Sequence, residues 1–170
     1  MKINKLIQTS IFLTWLLFTS IQTSAQSKKL IYEGLRQGTS WSVYLLNKEP
    51  VKQIERGGET KQLYVVNLER DSSYDGISQQ TNIVQCSTSQ PFIAFKDNYD
   101  TTMAIVHYIN PGGEMYGYNT ASNWIYWAVC HDLYSPWDYD LTSRATQLGY
   151  STELGSQQVE MPYVLLQYLE

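Results

Sequence analysis

Two cysteines, Cys86 and Cys130, follow an apolar N-terminal leader, and no other features narrow the folds open to this chain as much. The leader has three zones. Lys2 and Lys5 give a positive start, Ile11 to Phe18 is an apolar run, and Thr23-Ser24-Ala25 is a small-residue stretch of the kind a signal peptidase accepts. A membrane-spanning helix needs about 20 apolar residues, whereas this run is broken by Thr14, Thr19, Ser20 and Gln22. Residues 1–25 are therefore expected to be a cleaved signal peptide and residues 26–170 a single domain, periplasmic or extracellular after cleavage near Ala25. No transmembrane segment is expected in the mature chain. In an oxidising compartment the two cysteines read most economically as one bridge. Closing a loop of about 45 residues would stabilise the fold by about 4 kcal/mol.

Charge excludes some partners. Lys2 and Lys5 leave with the leader, so twelve basic residues fall to ten against sixteen acidic, a net of −6. No basic stripe forms, so nucleic acid is not an expected partner, and nothing suggests binding to anionic membranes.

The first half of the mature chain alternates like a sheet protein. Strands are expected over Leu30–Gln37 and Ser40–Asn47, with a turn at Gly38-Thr39. Val51–Arg56 should meet Lys61–Glu69 across Gly57-Gly58, which permits the positive φ angles of a tight hairpin. Lys61–Glu69 is apolar on both faces and reads as central in its sheet. After the turn residues Asp71–Gly76 come strands Ile77–Cys86 and Phe92–Lys96, the latter opened by Pro91 where a missing N–H does least harm. Met103–Ile109 follows, ending at Asn110-Pro111-Gly112-Gly113, and a short return through Tyr116 to Tyr118 would complete a hairpin.

The last third changes period. Trp124, Trp127, Ala128 and His131 fall on one helical face, although Ile125, Trp127 and Val129 would also suit a strand. Ser135-Pro136-Trp137-Asp138 fits an N-cap, a first-turn proline and an acid, predicting a helix over Pro136–Leu148 stopped by Gly149. Val159, Tyr163, Leu166 and Leu169 suggest a further short helix, into which Pro162 cuts. The expected class is α+β: an antiparallel β-sheet of about six to eight strands, then two or three C-terminal helices.

The segments Gln85-Cys86-Ser87-Thr88 and Ile125-Tyr126-Trp127-Ala128-Val129-Cys130 resemble the surface-adhesin E type of bacterial exported protein, in which one cysteine leads into a strand and another closes a tryptophan-containing helix. The resemblance covers at most Trp41 to Cys130. The chain departs from the pattern by continuing about forty residues beyond Cys130 and by lacking a Pro-Gly-Ser turn before that helix. It implies a disulfide-closed sheet-plus-helix module with Cys86 and Cys130 as the bridge, and a surface-binding role.

Candidate sites are few, and no catalytic residue, cofactor or metal is assigned. His107 shares a strand face with Met103, Ile105 and Ile109, which makes it a core histidine or, alternatively, a general base or metal ligand. Cys130-His131-Asp132 invites a catalytic reading, but consecutive residues do not face one another on a helix. A thiol enzyme would need Cys86 or Cys130 free. The two histidines are far apart in sequence, and neither stands at a usual metal-ligand spacing from a cysteine. Asp97, Asp100, Glu114, Asp132, Asp138 and Asp140 could supply a carboxylate pair, but none stands out. Tyr116, Tyr118, Trp124, Tyr126, Trp127, Tyr134, Trp137 and Tyr139 form the most unusual feature, either core or a platform that stacks on a carbohydrate or protein ligand. The expected function is a non-enzymatic binding or structural module of the cell envelope. The alternative is an envelope hydrolase using His107 or His131 with a carboxylate.

Overall fold

The computed structural model describes residues 27–113, 115, 119–134 and 139–168. The expected leader, the Tyr116–Tyr118 return and the Ser135–Asp138 helix start lie outside them. Strand β1 (Lys29–Arg36) turns through Gln37 and Gly38, with φ of 51° and 81°, into β2 (Thr39–Arg56). Gly57 and Gly58, at φ of 61° and 80°, turn β2 into β3 (Glu59–Ser72). Two successive positive φ angles give the turn twist that matches a strand pair, so the chain enters these hairpins where its sequence permits left-handed backbone. Three further strands follow: β4 (Gly76–Cys86), β5 (Phe92–Lys96) and β6 (Met103–Tyr108). Helices α1 (Thr120–His131) and α2 (Leu141–Gln147) then precede β7 (Gln157–Pro162) and a 3₁₀ helix at Tyr163–Tyr168. The described strands make one seven-stranded antiparallel sheet in the order β1 to β7.

Three expectations change. Ser40–Asn47 and Val51–Arg56 are one 18-residue strand rather than two. Pro50 is tolerated because β1 pairs only with Thr39 to Leu45, so the rest of β2 is an edge carrying register shifts around Asn47 and Lys52. The helix expected from Pro136 begins at Leu141. Asp140 is its N-cap, its carboxylate accepting from the Ser143 backbone N–H at 3.1 Å and from the Ser143 hydroxyl at 2.6 Å. Val159 is not helical. It lies in β7, which pairs with β6 from Met103↔Pro162 to Tyr108↔Gln157, so the helices are inserted before the last strand instead of following the sheet.

The sheet buries both faces in part. On one, Val43, Leu45, Val66, Leu68, Val84, Ile93 and Ile109 pack against α1, while Phe92, Ala94, Ala104 and Val106 meet Leu166 of the 3₁₀ helix on the other. β5 is buried on both sides, as its apolar run FIAF requires. Helix α1 is buried from Ser122 to Val129. A helix apolar around most of its circumference must be covered on its outer side too, and Leu133, Tyr134, Leu141, Ala145 and Tyr150 do this.

Two latches hold α1 at its C-terminal end. Cys86 of β4 and Cys130 of α1 form the expected disulfide, with Cα atoms 5.5 Å apart. Lys48 of β2 donates to the Val129 carbonyl at 2.9 Å and to Asp132 at 3.0 Å, placing a cation where the helix dipole is negative. The loop after Cys86 is tied as well. The Glu59 carboxylate accepts from the Ser87 hydroxyl at 2.7 Å, the Thr88 hydroxyl at 2.9 Å and the Ser89 backbone N–H at 3.0 Å, and also from the Thr88 N–H and the Ser89 hydroxyl. Burial pushes the Glu59 carboxyl up, but these donors outweigh it and bring its pKa down to about 2.

Candidate functional site

The aromatic residues divide between core and rim. Trp124, Tyr126 and Trp127 are 2%, 0% and 0% exposed, so they do not form part of a surface platform. Their place follows from the burial of α1 and from the bridge that pins Cys130 to β4. Tyr134 is half-buried and Tyr139 exposed; Tyr116, Tyr118 and Trp137 lie outside the described residues. Both cysteines are in the disulfide, which removes the free thiol that a cysteine nucleophile needs.

His131 sits against Trp127, with ring centroids 4.9 Å apart, and its Nε2 is 2.8 Å from the Tyr150 hydroxyl. Tyr150 in turn lies 2.7 Å from the Tyr126 hydroxyl, which donates to the Ser87 carbonyl at 3.2 Å. This chain links the outer cover, α1 and the loop after Cys86. Burial, and then Arg144, hold the His131 pKa below its ordinary value. The adjacent Asp132 instead binds Lys48.

His107 belongs to a different setting. It faces α1 from β6, 6% exposed, and its two ring nitrogens are taken: Nδ1 is 2.7 Å from Ser122 Oγ and Nε2 is 2.9 Å from Gln158 Oε1. With Nε2–H donating to the Gln158 carbonyl oxygen, Nδ1 is left to accept the Ser122 O–H. Burial pushes the His107 pKa down, only partly offset by the Gln158 bond, so the ring is neutral at pH 7.

His107 and Ser122 lie in the wall of a cavity of about 380 Å³ between the sheet and the first half of α1. Val43, Leu68, Phe95, Ala121 and Ile125 supply apolar walls, Tyr32 and Arg70 close one side, and Gln80 and Asn98 stand at an exposed rim. Among the described residues no aspartate or glutamate lines it. Of the acids weighed as catalytic partners, Asp97 and Asp100 accept from the backbone N–H groups of Tyr99 and Thr102, and Asp140 caps α2. Glu114 and Asp138 lie outside the described residues.

Asn82 distinguishes this cavity. It projects from β4 on the same side as Val84 and Cys86, is 1% exposed, and has no hydrogen-bond partner for either Nδ2 or Oδ1. Leaving a buried polar group unsatisfied costs about 1–3 kcal/mol, so such a group calls for an explanation, and a binding site is one. Sequence reasoning missed Asn82, Ser122 and Gln158. None of the three carried a clear local signal: Asn82 takes an inward position on β4, but it closes a polar run in which Ser78 and Gln80 share its face. Among the described residues no group of three or more His, Cys, Asp or Glu side chains could hold a metal.

No protein-family model, curated protein or solved structure matches the chain. The functional reading therefore rests on the cavity's own chemistry.

Proposed function

We propose that this is an exported, non-enzymatic binding module of the cell envelope, and that it holds a small ligand in the cavity between the sheet and α1. The unsatisfied carboxamide of Asn82 carries the reading. A concave, largely apolar pocket with a few convergent polar groups is the usual form of a small-molecule site, and its volume of about 380 Å³ lies within the ordinary range of about 300–1,000 Å³. The disulfide supports export, since such bridges persist in oxidising compartments. Among the described residues no helix is long and apolar enough to cross a membrane. The surface-binding role implied by the surface-adhesin E resemblance is a related proposal, with the ligand held in a cavity in place of an aromatic platform.

The test is thermal unfolding in the presence of small neutral aromatic fragments. A ligand that binds only the folded state raises the melting temperature. Wild type should respond to some of them, and Ala121→Leu, which fills the cavity from α1, should lose the response. No response in wild type, or an equal response in both proteins, would refute the reading.

One observation favours a second reading, a hydrolase. A neutral His107 accepting the Ser122 O–H is the base–nucleophile arrangement of acyl transfer, with Gln158 where a carboxylate usually orients the ring. Hydrolysis of p-nitrophenyl acetate that disappears in Ser122→Ala would establish it. Equal rates in both proteins would remove it.

A further inference from the structure

The polar groups deep in the cavity are not equally available to a ligand. His107 and Ser122 bond to each other, and His107 also bonds to Gln158. Arg70, on an exposed side, pairs with Asp75 at 3.4 Å. Asn82 alone among the buried polar lining residues has both an unused donor and an unused acceptor, and they belong to one planar group.

That pairing restricts the ligand. A carboxylate offers only acceptors and would set an oxygen against Asn82 Oδ1; an ammonium offers only donors, which could pair with Oδ1 but would leave the Nδ2 donor without an acceptor. A group with a donor and an acceptor side by side satisfies both atoms at once. Primary carboxamides, lactams and the N6/N7 edge of adenine have this form, and asparagine reads the last of these by a pair of parallel hydrogen bonds. The walls Val43, Leu68, Phe95 and Ile125 suit a flat ring, and the charged lining residue Arg70 is already paired with Asp75.

We propose that the cavity binds a small, flat, uncharged ligand whose adjacent donor and acceptor pair with the Asn82 carboxamide, as a lactam, a primary carboxamide or a nucleobase edge would. The inference rests on the binding-module reading above. The Asn82 amide atoms have almost no accessible surface in the free protein, so pairing with a ligand requires neighbouring lining side chains to move.

The experiment is calorimetric titration of the oxidised protein with adenine, nicotinamide and 2-pyridone, with benzoate as the anion of matched size and toluene as the apolar control. At least one of the first three should bind at least tenfold more tightly than benzoate and toluene, and the preferred probe distinguishes the base edge, the carboxamide and the lactam. Asn82→Leu should weaken that probe tenfold or more while leaving toluene affinity within about twofold. Asn82→Gln, which keeps the chemistry on a longer arm, gives a second variant should leucine disturb the fold. Benzoate or toluene binding as well as the paired probes, or an unchanged affinity in both variants, would overturn the inference and leave the binding module standing. Failure of all five probes would overturn both.

Discussion

Asn82 is retained at a cost. If its carboxamide is kept for a ligand, the free protein should become more stable when it is removed, the usual exchange between function and stability. Asn82→Leu, close to asparagine in shape, should raise the unfolding free energy by about 1–3 kcal/mol, read from urea midpoints at constant m-value. A loss of stability would show that the amide is satisfied and belongs to the core. The two histidines give a residue-scale test of a different kind. His107 is buried and His131 half-buried, both with lowered pKa values, so below the unfolded value of 6.5 the unfolded chain binds protons that the folded chain refuses. Their stabilisation is complete above pH 6.5 and declines as pH falls through the folded values. Glu59 acts lower: its contribution is present above its unfolded value of 4.5 and is lost as pH falls toward about 2. Urea midpoints should therefore drop on acidification in two stages, and His107→Gln should flatten the first. Midpoints that hold or rise between pH 7 and 5 would contradict this.

At the scale of elements, α1 depends on packing and on one covalent tie. Trp127→Ala would cost about 3–5 kcal/mol, comparable to the roughly 4 kcal/mol ascribed to closing the loop from Cys86 to Cys130. Cys86→Ala should lower stability by about that amount in oxidising buffer and match the wild type once both are reduced. Circular dichroism and urea unfolding under both conditions measure this; a variant as stable as the oxidised wild type would show the bridge to be dispensable. Elements were legible where local chemistry decides them. Gly57-Gly58 fixes a hairpin, Pro91 marks the approach to β5, and the strand endings at Cys86 and Lys96 coincide with those expected. The helix at Trp124–Cys130 was legible only as one of two periods, because a helix buried on nearly all sides lacks the polar stripe that distinguishes it from a strand. Pro50 read as a break because edge status beyond Leu45 depends on the length of a different strand, β1.

At the scale of the whole molecule, strands β1 to β6 pair with their neighbours in sequence, and the helices interrupt only the step to β7. That last pairing was not legible, since Val159 and Met161 carry a pattern that also suits a helix until β6 supplies the partner. The open sheet has two edges, a general hazard for aggregation. Lys29 and Arg36 and the register shift between Leu30 and Tyr32 blunt one, and Glu160 and Pro162 the other. The candidate site is a product of this topology. Asn82 comes from β4, His107 from β6, Ser122 from α1 and Gln158 from β7, so a convergence of four elements had no local signature, and Asn82 itself was hidden in the polar run Ser78 to Asn82. The most direct test is a ¹⁵N correlation spectrum of the oxidised protein, titrated with the neutral fragment that raises its melting temperature most. Shifts should concentrate on the Asn82 side-chain amide and on the backbone of Ala121, Ser122 and Ile125. Shifts confined to the exposed strand edges, or none at all, would contradict a cavity-borne binding function.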